Sequence, residues 1–127
     1  LLDVDVIGDA LPATLVSEAC MLAAASAAIE DGHVAVEFVD EARITALNSE
    51  HRGKDSPTDV LSFPVDEDGW VGAGSPRELG DVVICPAHTE DLLEAVVHGV
   101  LHLTGMDHET DDGEMLALQA EIMGWIR

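Results

Sequence analysis

Three histidines carry the most chemistry in this chain. They fall in the string His98-Gly99-Val100-Leu101-His102-Leu103-Thr104-Gly105-Met106-Asp107-His108. On a helix, residues four apart sit one above the other, so His98 and His102 present their imidazoles on a single face. Gly105 ends that helix and permits the backbone reversal that can bring His108 back to the same point, so one short segment supplies three nitrogens. Three neutral imidazoles leave a zinc ion its double positive charge and one open position, the arrangement that lowers the pKa of a bound water to about 7. The plain alternative is three ordinary polar residues on an amphipathic helix. The paired spacing with a glycine between favours the metal, and the expectation is one Zn2+ per chain held by His98, His102 and His108.

The same spacing occurs in the metzincin proteases, H-E-x-x-H-x-x-G-x-x-H, with one departure: Gly99 stands where those enzymes carry their general-base glutamate. Glycine has no proton acceptor, so peptide hydrolysis by that route lacks a group that contributes about 10²- to 10⁴-fold. A different substrate, or a different base, is implied.

The segments that must position these residues alternate between strand and helix periods, which suggests mixed α and β. Leu2 to Ile7 alternates as a strand and Gly8-Asp9 ends it. From Pro12 the apolar residues recur as Leu15, Val16, Ala19, Leu22, Ala23 and Ile29, a helical face expected to stop at Gly32. Val34, Val36 and Phe38 mark a second strand, and Asp40 can cap a helix through Ile44 and Leu47 to Asn48. Glu50 to Thr58 reads as a polar loop, Asp59 to Phe63 as a short strand closed by Pro64, and the acidic, glycine-rich Asp66 to Pro76 as a surface loop. Asp81 to Ile84 is nearly all apolar, as an interior strand is. Thr89 and Glu90 are expected to start the histidine-bearing helix, and Met115, Leu118, Ile122 and Trp125 mark a last helix with Glu114 near its start. The expected architecture is α+β: one zincin-like domain over residues 1–127, with about four strands in a mixed sheet, helices packed on it and the metal-binding helix near the C-terminus.

Composition bounds the partners. At 127 residues and 47% hydrophobic, the chain can bury one core and has no room for a second. Twenty-six acidic against five basic residues give a net charge of -21, which repels polyanions over most of the surface and opposes any non-specific grip on DNA or acidic membranes. An anionic substrate must be bound locally. The cations are Arg43, Arg52, Lys54, Arg77 and Arg127, and Arg52 and Lys54 fall together in the polar loop. Cys20 and Cys85 sit among apolar neighbours, the setting of core residues in a reducing compartment. The longest apolar run, Ala19 to Ile29, is too short to span a bilayer and lacks the positive flank of a secretion signal, so a cytoplasmic protein is expected.

Together with the histidine string, the stretch Leu47-Asn48-Ser49-Glu50-His51-Arg52-Gly53-Lys54-Asp55-Ser56-Pro57-Thr58-Asp59-Val60-Leu61-Ser62-Phe63-Pro64 and the later Leu79-Gly80-Asp81-Val82-Val83-Ile84 closely resemble the bacterial YbeY family of metal-dependent endoribonucleases. The resemblance covers nearly all of the chain. It implies single-strand-specific cleavage of RNA with a zinc-activated water, acting on ribosomal RNA precursors in ribosome maturation and quality control. It implies His98, His102 and His108 as ligands, with His98 and Arg52 the catalytic residues and Arg52 the cation that binds the substrate. A guanidinium suits that role, because it can hold two phosphodiester oxygens in parallel hydrogen bonds and offset charge growing on phosphorus. Without the family, a surface salt bridge from Arg52 to Glu50 or Asp55 is the commoner fate of such a residue.

Lys54 is a second candidate phosphate contact or a solvated loop lysine. Asp107 either orients an imidazole from outside the ligand set or has a purely structural place. His51 replaces the family's usual tyrosine. Cys85-Pro86-Ala87-His88-Thr89-Glu90 is shorter than the family's norm, where more helix intervenes: either the protein has lost a segment or the sequence omits one, and an omission around Ala87 to His88 is the favoured expectation. With so few cations, weak RNA contact over a short footprint and recruitment by a ribosomal or ribosome-associated protein are expected. Two readings compete: a metallopeptidase-like hydrolase, which needs a carboxylate such as Asp107 near the metal, and a ribosome-associated factor with a structural metal, closed by His88 or Cys85 as fourth ligand.

Overall fold

The computed structural model describes residues 2–65 and 78–126. Four strands, β1 (Leu2–Ile7), β2 (Gly32–Phe38), β3 (Val60–Pro64) and β4 (Glu78–Ile84), form one sheet in the order β1-β2-β4-β3. β1, β2 and β4 run parallel, and β3 pairs antiparallel with β4, so the sheet is mixed. The helices are α1 (Ala13–Ser26), α2 (Glu41–Arg52), α3 (Leu92–Leu103) and α4 (Glu114–Ile126), with a 3-10 turn at Pro86–His88. This is the α+β arrangement expected. No helix among the described residues is long and apolar enough to cross a membrane.

Side chains alternate across a strand, and β4 uses both of its faces. Val82 and Ile84 join the larger core, which gathers Val34 and Val36 of β2, Val16, Ala19 and Cys20 of α1, Val96, Val97 and Val100 of α3, and Met115 and Ile122 of α4. Val83 joins a smaller cluster with Leu61, Cys85 and the α2 residues Ile44 and Leu47. Helices therefore cover β4 on two sides, which is why its sequence is an apolar run rather than an alternation. Both cysteines are buried and free, and burial pushes the Cys20 thiol up to about 12.

Three helix boundaries differ from expectation, β3 runs from Val60 to Pro64 rather than from Asp59 to Phe63, and β4 begins at Glu78 rather than Asp81. α1 stops at Ser26, not Gly32: Ala28 takes the left-handed conformation at φ 61 and the N–H of Ile29 returns to the carbonyl of Ala24 at 2.9 Å. The apolar pattern outran the helix because Ile29 packs on the core from beyond the turn. α2 starts where Asp40 accepts from the N–H of Arg43 at 2.8 Å, but it runs past Asn48 to Arg52 and ends at Gly53, left-handed at φ 69. α3 starts at Leu92, with Asp91 accepting from the N–H of Glu94 at 3.1 Å. Thr89 instead donates its hydroxyl to the carbonyl of Cys85 at 2.7 Å, closing the turn that Pro86 opens. Asp66 to Pro76, read as a surface loop, lies outside the described residues, as do Arg77 and Arg127.

Candidate metal centre

α3 docks through Val96, Val97, Val100 and Leu101, all fully buried, and holds His98 and His102 half-buried with ring centroids 4.8 Å apart. Between them, Gly99 lies against the sheet. A Cβ at that position would overlap Cγ1 of Val82 on β4. The residue that replaces the metzincin glutamate is thus a packing requirement, and a side chain there would run into the sheet. The hydroxyl of Ser62 on β3 donates to the carbonyl of Gly99 at 3.3 Å, tying the same turn of helix to the edge strand.

The helix ends in two bonds that define a Schellman turn: Gly105 N–H to the carbonyl of His102 at 3.0 Å, and Met106 N–H to the carbonyl of Leu101 at 3.2 Å. Gly105 sits at φ 105, which an L side chain rarely adopts. The reversal sets the His108 ring centroid 5.0 Å from that of His98 and 5.2 Å from that of His102. One ligand atom from each of the three lies within 4.8 Å of the others.

Two rings are oriented from behind. The Nδ1–H of His102 donates to the carbonyl of Met106 at 3.0 Å, and the Nδ1–H of His98 donates to Oε1 of Gln119 on α4 at 2.8 Å. With the proton on Nδ1, Nε2 of each ring keeps a lone pair for a metal. Burial, and after it the neighbouring charge of His98, lowers the pKa of His102 from 6.5, which favours the neutral, ligating form. Nδ1 of His108 is buried without a hydrogen-bond partner, an orphaned polar atom that an ion in the cluster would account for. Three imidazole nitrogens suit zinc. Among the described residues no fourth histidine, cysteine, aspartate or glutamate joins them. Cys85 is buried in the smaller cluster on the α2 side, and His88 is bonded to Glu41 at 2.9 Å.

The histidines open into a cleft of about 820 Å³, with β3 from Val60 to Ser62 along one wall, the turn from Leu103 to Glu109 along the other, and Arg52 at the end of α2. Because α2 continues to Arg52, the guanidinium is carried by a helix rather than by a loop. The following loop is pinned by Asn48, buried, whose Nδ2 donates to the carbonyl of Ser56 at 2.9 Å. Among the described residues, Arg52 forms no ion pair with Glu50 or Asp55 and is free to meet a ligand.

A family model for Endoribonuclease YbeY matches residues 7–127. The chain belongs to the YbeY endoribonuclease family. It is 43% identical over 113 residues to Endoribonuclease YbeY of Geobacillus thermodenitrificans, covering 74% of this chain and 72% of that one. Against Endoribonuclease YbeY of Bacillus cytotoxicus it is 38% identical over 130 residues, covering 87% of this chain and 83% of the other. The solution structure of TM1509 from Thermotoga maritima superposes with a TM-score of 0.61 at 32% identity, over 97% of this chain and 88% of that one. Between Ile84 and the histidine helix the structure has one 3-10 turn, Pro86–His88.

Of the residues the YbeY resemblance singled out, the three histidines and Arg52 share the cleft. Asp107 lines it too, but its carboxylate accepts from the N–H of Glu109 at 3.0 Å and holds the turn. Lys54 is exposed and does not line the cleft. His51 rests against Phe63, with ring centroids 4.7 Å apart. Nothing in the sequence marks Gln119, Ser62 or Asn48 as supports of the site. Asn48 was visible only as a helix end, and Gln119 only as a residue one heptad-like step from the apolar positions Met115 and Ile122.

Proposed function

We propose that this chain is a zinc-dependent endoribonuclease that cuts single-stranded RNA at phosphodiester bonds, and that it works in the cytoplasm on ribosomal RNA precursors, in maturation and ribosome quality control. One observation carries this reading: three imidazoles converge, with no fourth protein ligand among the described residues, in the cleft that Arg52 also lines. His98, His102 and His108 hold the ion, one per chain. When bound, zinc supplies a Lewis acid that makes water a nucleophile near neutral pH and offsets charge on a phosphate oxygen.

The chain's own residues do the rest. Gln119 and the carbonyl of Met106 fix the ring planes of His98 and His102. Arg52 binds two non-bridging phosphate oxygens through parallel N–H donors, which strengthen as charge builds on phosphorus. Lys54 adds at most an outer phosphate contact from its exposed position. Asp107 keeps the His108 turn in shape. With Gly99 against Val82, a metzincin-type base has no place, which counts against the peptidase reading. The bond of His88 to Glu41 and the burial of Cys85 among Ile44, Leu47 and Leu61 count against a closed, structural metal. A ribosomal or ribosome-associated protein supplies the encounter that the chain's own charge of -21 opposes.

The test is metal analysis of the purified protein with cleavage of a single-stranded RNA by the wild type, His98→Ala and Arg52→Ala. One zinc per wild-type chain, loss of zinc in His98→Ala and loss of cleavage in both variants are expected. Cleavage that survives both substitutions ends the assignment. A 2′,3′-cyclic phosphate on the product would replace water by the ribose hydroxyl as nucleophile.

A further inference from the structure

We infer that Gln119 is a positioning residue of the metal centre: its side-chain carbonyl holds His98 in the Nδ1-protonated tautomer and so presents Nε2 to the ion. The inference rests on the zinc reading above for its second half only. Oε1 of Gln119 lies 2.8 Å from Nδ1 of His98, across 21 positions of sequence. The contact is built into the fold. Met115, Gln119 and Ile122 share one face of α4, and Met115 and Ile122 are fully buried in the larger core. Packing of α4 on the core thus delivers the amide to the back of the His98 ring.

The tautomer of an imidazole is set by the hydrogen bond its other nitrogen makes. His102 gains its bond locally, from the turn that Gly105 creates. His98 sits mid-helix, where neighbouring carbonyls are taken up by the helix itself, so its acceptor has to come from another element. Gln119 is that acceptor. An amide also accepts without adding negative charge, which leaves the ion's positive charge undiminished beside a phosphodiester.

The experiment compares wild type, Gln119→Leu, Gln119→Ala and Gln119→Glu. Two-bond 1H–15N spectra of the metal-free, 15N-histidine-labelled proteins, taken above the pH at which the rings titrate, report the tautomer of His98. Competition with a chromophoric chelator reports zinc affinity, and thermal unfolding of the metal-free proteins reports the fold. Wild type and Gln119→Glu are expected to show Nδ1–H at His98. Gln119→Leu, or Gln119→Ala should the leucine variant not fold, is expected to lose that tautomer and about 10- to 100-fold in zinc affinity. Gln119→Glu, which restores an acceptor, should bind zinc at least as well as wild type. An Nε2–H ring at His98 in wild type overturns the inference, as does wild-type zinc affinity in Gln119→Leu or Gln119→Ala. The expected tautomers without zinc binding by any of the proteins refute the metal reading instead, and leave the positioning contact standing.

Discussion

Gly99 of α3 and Val82 of β4 are so close that a Cβ on the glycine would overlap Cγ1 of the valine. α3 thus lies on the sheet at a depth only bare backbone allows, and His98 and His102 take their positions from that depth. Gly99→Ala is expected to lift the helix, lower stability by about 1–3 kcal/mol and weaken zinc binding. Urea unfolding and chelator competition measure the two effects. Adding Val82→Ala should recover most of the loss, because it removes the methyl groups the new Cβ meets. A Gly99→Ala protein as stable as wild type would contradict the packing.

Arg52 is expected to act through its planar fork. Arg52→Ala should lower kcat/KM on a short single-stranded RNA by about 10²- to 10³-fold and leave zinc content unchanged. Arg52→Lys should recover little, because a lysine offers a point charge in place of two parallel donors. Wild-type rates in Arg52→Lys would reduce the residue's role to simple charge neutralisation.

RNA binding should depend weakly on salt. Among the described residues Arg52 is the lysine or arginine that lines the cleft, with the exposed Lys54 two positions on; with two phosphates neutralised, the slope of log K against log salt for a single strand is roughly -1.4. Fluorescence anisotropy over a range of potassium chloride measures it. A slope that requires six or more phosphates would place RNA on a surface other than this cleft.

His33 of β2 links its neighbours across the sheet, with Nε2 2.7 Å from Asp5 of β1 and Nδ1 2.7 Å from Glu78 of β4. The hydrogen bond to Asp5 is the largest influence raising its pKa above 6.5, and Glu78 adds to it. Because the folded state raises this pKa, the stabilisation is complete below the unfolded value and fades as pH climbs through the folded one. Wild type should therefore exceed His33→Gln in stability at about pH 6 and lose that advantage by about pH 9. Urea unfolding at both pH values decides it, and an unchanged difference would mean the bonds form equally well to a neutral ring.

The sequence revealed most where the pattern was strong and local. The spacing of His98 and His102 with Gly105 described a helix and its reversal, and the apolar run before Ile84 described a strand covered on two sides. The end of α2 is hidden in the sequence because Ser49 to Arg52 is a solvent-facing helical turn, whose polar residues look like a loop until Gly53 stops them. Gly32 looks like the stop of α1 because glycine is the usual left-handed residue, yet Ala28 adopts that conformation here. Gln119 left no local trace, since its value comes from a helix that reaches His98 only after the core has formed.

All three donor rings come from a single stretch of eleven residues closed by the turn at Gly105. On the zinc reading proposed above, a denatured chain, which keeps them near one another, also retains some hold on the ion. Zinc will accordingly raise the melting temperature by less than its affinity for the native protein implies. On the same reading, the ion can also be captured before α4, which follows α3 in the chain, has been made to lock the ring of His98.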